Sequence, residues 1–178
     1  HILCMQETRK TKADDYEDEN SGSRIILSGE DTDAASWSGV GFIISPSHVP
    51  LVRSCKQISE MIVQLKLKFG IRILGIFGVY APHNLKPLPE RRMFWNTLDS
   101  EFWTCSDTAG KLIMGDVNAR VGHADAGEST TIGPFTWGRR ALHQVEVPNR
   151  DLLMEFCFGL ELKLANTYFE RPLEDTVT

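Results

Sequence analysis

Between Ile58 and Tyr80 the chain first alternates and then becomes almost continuously apolar. Ile58, Met61, Val63, Leu65, Leu67 and Phe69 are apolar and Gln64, Lys66 and Lys68 stand between them, which predicts a strand with one wet face. Phe69-Gly70 supplies a turn, and Ile71 to Tyr80 returns as a strand suited to the middle of a sheet. Gly39 to Ile44 predicts a shorter strand closed by Ser45-Pro46, and Ile25-Ile26-Leu27 another. Ile2 to Met5 and Lys111 to Met114 are short apolar strands of the buried type, and Leu162 to Asn166 predicts a last one. Helices come between them. Pro87 to Cys105 has Phe94, Leu98 and Phe102 at steps of four, with Trp95 beside the stripe and charges opposite, so these aromatics are read as core and not as a base-stacking platform. Arg150 to Leu160 repeats the theme with Leu152, Leu153, Phe156 and Leu160, and Asn149 is placed as its cap. The polar, Gly-containing connection from Gly122 to Pro148, which holds Trp137, is of a length that is usually functional or mobile. Strands alternating with helices predict an α/β fold in which two packed sheets are flanked by helices, although periodicity by itself leaves other mixed folds open.

The candidate chemistry sits where strands end. Gly115-Asp116-Val117-Asn118 follows the strand Lys111 to Met114, and in extended backbone Asp116 and Asn118 share a face, with Gly115 leaving room for close approach. Such a pair joins a proton acceptor or metal ligand to an amide donor, which is what hydrolysis of a phosphate ester needs: one group to orient or deprotonate water, one to hold a non-bridging oxygen. Asp-X-Asn after a strand also makes ordinary turns, so the pair needs company. Glu7 provides some, ending the first strand with the parity of Leu3 and Met5. Tyr80 provides more, delivered at the end of Gly78-Val79-Tyr80 before Pro82 stops the strand.

Strands ending in Glu, Tyr and Asp-X-Asn, in that order, resemble the endonuclease/exonuclease/phosphatase family. The wording is most similar to the endonuclease domains of non-LTR retrotransposons, especially the RTE-like group and host proteins derived from it. Gln6-Glu7-Thr8-Arg9, Gly39 to Ser45, Val79-Tyr80-Ala81-Pro82, Gly115 to Gly122 and Leu164 to Phe169 carry the resemblance, which spans essentially all 178 residues. It implies a four-layer α/β sandwich and a magnesium- or manganese-dependent hydrolase acting on DNA. Glu7 is implied as the metal ligand, Asp116 as the residue that orients or deprotonates water, Asn118 as a donor to a phosphate oxygen, and Tyr80 as a nearby phenolic donor.

Several features of the family have no counterpart here. Its first strand bears an Asn that serves the metal, whereas this chain opens at His1-Ile2-Leu3; a late Asp and a final Ser-Asp-His block are also missing, and His1, His48, His83, His123 and His143 stand in other contexts. The expectation is a partial domain over residues 1–178, lacking the first strand and the C-terminal strands, and weak or inactive by itself.

Composition adjusts the picture. With 42% hydrophobic residues the chain can bury one domain's core. No apolar run approaches a membrane span and no signal peptide is visible, so a soluble protein without a membrane partner is expected. Cys4, Cys55, Cys105 and Cys157 are far apart on apolar segments, which predicts reduced core thiols and a nuclear or cytoplasmic location. A formal charge of −5 gives no global attraction to DNA. Much of it is local: Asp14, Asp15, Glu17, Asp18, Glu19, Glu30, Asp31 and Asp33 read as a solvated loop or an excursion beyond the first strand. Arg91-Arg92, Arg139-Arg140 and Arg9-Lys10 with Lys12 are candidate phosphate contacts, although such pairs are commonly plain surface charge. Two other readings stay open: a same-fold phosphatase acting on a small phosphoester, and a domesticated, non-catalytic interaction fragment.

Overall fold

A computed structural model describes residues 1–29, 38–136, 147–170 and 172. The chain forms two compact units, His1–Ala81 with Thr97–Val117, and Pro82–Asn96 with Asn118–Thr178.

The first unit is built from two four-stranded sheets packed face to face. One sheet holds β1 (Ile2–Gln6), β4 (Val40–Ile44), β3 (Arg24–Leu27) and β2 (Asp14–Glu17) in that order, all antiparallel. The other holds β5 (Val52–Ser59), β6 (Ile62–Phe69), β7 (Arg72–Tyr80) and β8 (Gly110–Asp116); its last pair is parallel, as a crossover helix requires. This is the expected α/β arrangement of two packed sheets. Its interior is filled by Ile26, Val40, Phe42, Ile44, Val63, Leu65, Leu67 and Ile76, with Ile2, Cys4, Leu74, Tyr80 and Met114 packed against them. Each large side chain buried there contributes roughly 1.5–3 kcal/mol. Ser28 joins the sheets: its buried hydroxyl donates to the Glu60 carbonyl at 2.6 Å and accepts from the Val40 amide at 2.9 Å.

Helix α1 (Leu88–Thr104) gives its C-terminal part to this unit. Leu98 and Phe102 are buried, with the Phe102 ring 5.6 Å from that of Phe77 on β7. Lys111 on β8 donates to the Phe102 carbonyl and lies over the Phe102 ring, placing a cation where the helix dipole is negative. This packing corrects the expected wet face of β6: Gln64 is only 7% exposed because the sheet is covered on both sides there. The strand itself is also shorter than expected, since Ile58 belongs to β5 and Glu60-Met61 turn between the two. Within this unit no helix covers the outer face of the first sheet among the described residues. Asp14–Glu17, expected in a loop, is instead the exposed edge strand β2, where Asp15 grips Arg24 with two bonds of 2.7 and 2.8 Å; acidic side chains on an edge discourage pairing with other chains. Glu30, Asp31 and Asp33 lie outside the described residues.

The second unit holds the N-terminal part of α1 and helix α2 (Asn149–Gly159). Phe94 and Trp95 meet edge to face at 5.2 Å, and Trp95 lies 5.2 Å from Phe156, so the aromatic stripe is core as expected. The predicted strand Leu162 to Asn166 is not one: Leu164 makes a single parallel bridge to Ile132, and Ala165–Thr167 form a 3₁₀ turn. Trp137, Arg139, Arg140 and His143 lie outside the described residues. Among the described residues no helix is long and apolar enough to cross a membrane.

Candidate active site

Glu7 reaches its place by leaving the strand. On β1, Ile2 and Cys4 pack inward while Leu3 is 57% exposed, so continued alternation would carry Glu7 to Leu3's side, away from the inward-packed Tyr80. The strand stops at Gln6, and Glu7 and Arg9 both adopt the left-handed region, with φ of 53° and 55°. That reversal lets the Tyr80 hydroxyl donate to Glu7 Oε1 at 3.2 Å, while an Arg9 guanidinium nitrogen lies 3.7 Å from Glu7 Oε2. Positive φ at residues that are not glycine costs about 1–2 kcal/mol each, and such outliers cluster where function demands them. The parity argument for Glu7 is thus corrected although the residue stands at the expected end of the strand.

Asp116 comes to the same mouth from β8. Tyr80 and Asp116 are register partners on neighbouring parallel strands, and the Ala81 amide donates to the Asp116 carbonyl at 2.8 Å. Met114, two residues earlier, packs on the interior cluster, so Asp116 continues that face beyond the edge of the core, where it is exposed. Gly115 makes the approach feasible: its φ is 139°, and a Cβ there would collide with the Val79 carbonyl oxygen. Tyr80 thus meets Glu7 on one side and stands beside Asp116 on the other. Beneath them Gln6 donates to the Cys4 thiol at 3.2 Å, and burial pushes that thiol up to about 11, which leaves it uncharged and a poor metal ligand at neutral pH.

Asn118 does not follow the expected alternation. The strand ends at Asp116, and Asn118, which opens a stretch of the second unit, has a φ of 47°; extended parity with Asp116 is broken within two residues. Its carbonyl accepts a bond of 3.0 Å from the side-chain amide of Asn149. Asn149 is fully buried and is not the cap of α2, a place taken by Pro148, which makes no side-chain cap bond. Its amide also donates to the Pro82 carbonyl at 2.8 Å, its oxygen accepts from Arg91 at 3.1 Å, and its backbone N–H donates to Asn84 Oδ1 at 2.7 Å. Arg91 in turn donates to the carbonyls of Lys86 and Val147. Only 3% exposed, it is unavailable as a phosphate contact. Arg92 faces Glu155 at 3.6 Å, and Lys10 and Lys12 are exposed. Arg150, unremarked in the sequence, donates to Val121 O at 2.7 Å and forks onto Glu128 with bonds of 2.9 and 2.5 Å. The sequence signal for these roles was weak: an Asn-Arg pair at a helix start reads as capping and surface charge.

Glu7 and Asp116 offer hard oxygen donors open to water, the set that suits magnesium, an ion held through one or two carboxylates while keeping its own waters. Among the described residues no group of three His, Cys, Asp or Glu side chains is placed to hold a metal, so a cage of protein ligands of the zinc type is not formed there. Compared with known proteins, the sequence matches no protein-family model and no curated protein.

Proposed function

We propose that this chain is a magnesium- or manganese-dependent phosphodiester hydrolase of the retrotransposon-endonuclease type, with DNA as its substrate. One observation carries the reading: the Tyr80 hydroxyl bonded to Glu7 Oε1 at 3.2 Å beside its register partner Asp116. Glu7 would hold the divalent ion, whose chemistry is to neutralise charge on the scissile phosphate and its leaving oxygen. Tyr80 fixes the Glu7 carboxylate and presents a phenol to the mouth. Asp116 orients the attacking water and takes its proton. Asn118 donates its amide to a non-bridging phosphate oxygen. Lys10 and Lys12, exposed just beyond Glu7 in sequence, supply cationic contacts for a phosphate backbone, and the four free cysteines support a reducing nuclear or cytoplasmic setting.

The test is nicking of supercoiled plasmid by the purified chain with magnesium, with manganese and with chelator, beside the Asp116→Ala variant. The reading predicts slow nicking that needs the metal and disappears in the variant. Hydrolysis of a soluble phosphoinositide in place of DNA would redirect the substrate. No metal-dependent hydrolysis of either would overturn the enzyme reading and favour an interaction fragment.

A further inference from the structure

The turn that aims Glu7 is built around a residue with an anomaly of its own. Thr8 Oγ1 is buried without a hydrogen-bond partner, the one such side-chain atom among the described residues. It lies between two left-handed residues, Glu7 and Arg9, and opposite Gly39, whose φ is 110°. A Cβ on Gly39 would collide with that hydroxyl. The backbone here continues the β1–β4 pairing past its last regular pair, with the Thr8 amide donating to Gly39 O at 3.2 Å and the Arg9 amide to Ser38 O at 3.0 Å. Glycine thus opens a seat, Thr8 fills it, and the flanking residues are twisted into conformations that their side chains disfavour. A buried hydroxyl without a partner and two strained residues, all within three positions, is an arrangement the fold tolerates where geometry matters more than stability.

We propose that Thr8, seated against Gly39, is a positioning residue: by shape alone it locks the left-handed turn and so holds the Glu7 carboxylate on Tyr80 and beside Arg9. Because the hydroxyl has no partner, a residue of the same outline serves as well. The purpose of the seat rests on the phosphodiesterase reading, but its geometry is measured without metal or substrate.

Labelling with 3-fluorotyrosine gives three fluorine signals, from Tyr16, Tyr80 and Tyr168, and Tyr80→Phe assigns the one of interest. Glu7→Ala calibrates the displacement produced when the acceptor of the Tyr80 hydroxyl is lost. Thr8→Gly, which empties the seat, is expected to move the Tyr80 signal in the same direction by a comparable amount while the Tyr16 and Tyr168 signals stay fixed; Thr8→Val is expected to leave all three in place. Where Thr8→Gly fails to fold, Thr8→Ala makes the smaller excavation and decides. A Tyr80 signal that responds to Glu7→Ala but not to the emptied seat overturns the proposal, and so does displacement by Thr8→Val. A signal indifferent to Glu7→Ala removes the Tyr80–Glu7 bond and the proposal with it. Failure of plasmid nicking, by contrast, defeats the enzyme reading and leaves the fluorine result standing.

Discussion

Arg150 and Glu7 are both charged, and each stands beside a partner of opposite sign, yet their surroundings have little in common. The Arg150 and Glu128 side chains are 9% and 12% exposed, joined by two short bonds, with a third from Arg150 to a backbone carbonyl. Glu7 and Arg9 are 53% and 56% exposed, 3.7 Å apart, on backbone forced into the left-handed region. In the first pair charge has been withdrawn from water and each of the three guanidinium nitrogens makes a hydrogen bond, which serves the fold. In the second a carboxylate is held open to solvent at the expense of local conformational energy, as the proposed metal role requires. Removing the carboxylates of the two regions should therefore damage different properties.

The largest expected effect is on rate. Asp116→Ala should lower metal-dependent nicking by about 10²–10⁴-fold, the usual worth of a positioned proton acceptor. Its urea midpoint should move little, because an exposed side chain off the core changes stability by only about 0.5 kcal/mol. Glu128→Ala should do the reverse for stability: an arginine left buried without its carboxylate costs about 3–5 kcal/mol, read by urea unfolding. Asn149→Ala removes the shared partner of Pro82, Asn118 and Arg91, and each orphaned group costs about 1–3 kcal/mol. If Glu128→Ala leaves stability untouched, the contrast between the two regions is lost.

A smaller effect comes from pH. Burial pushes the Cys4, Cys55 and Cys157 thiols from an ordinary 9.0 up to about 11. The folded chain holds these protons more tightly than the unfolded one, so their contribution is intact below pH 9 and is lost as pH rises toward 11. Urea midpoints from pH 8 to pH 11 should fall across that window, and replacing the three residues by Ala should flatten the fall. The smallest effect sharpens the comparison at the mouth itself. Thr8→Val deletes a buried, unpartnered hydroxyl and should stabilise the chain by about 1 kcal/mol, whereas deleting a satisfied hydroxyl, as in Ser28→Ala, should destabilise it.

Most of the strands were legible because a buried strand is a short apolar run bounded by turn residues, and β1, β3, β4, β7 and β8 lie within a residue or two of their expected limits. Helix α1 was legible for a similar reason, its stripe of Phe94, Leu98 and Phe102 being the buried one. What failed were inferences that extended a local rule past the end of an element. Parity was carried from Asp116 to Asn118 and from Met5 to Glu7, but in both places the backbone turns left-handed. Asn149 was given a cap's role from its position, whereas its side chain is spent on carbonyls and an arginine distant in sequence. Arg91 read as surface charge because nothing local announces that an arginine will be buried. The acidic run hid β2, since an edge strand exposed throughout has no apolar period to display. Glu7, Tyr80 and Asp116 were nevertheless found together, because a strand's end is where a side chain can keep the sheet's alignment and still meet solvent.

Glu7 and Asp116 are proposed to serve one divalent ion. Electron paramagnetic resonance titration with manganese measures this without any turnover, in the wild-type chain, in Glu7→Gln and in Asp116→Asn. One site per wild-type chain is expected, weakened at least about tenfold by either substitution. Two sites in the wild type, each abolished by a different single substitution, would contradict it, as would undiminished binding in both variants.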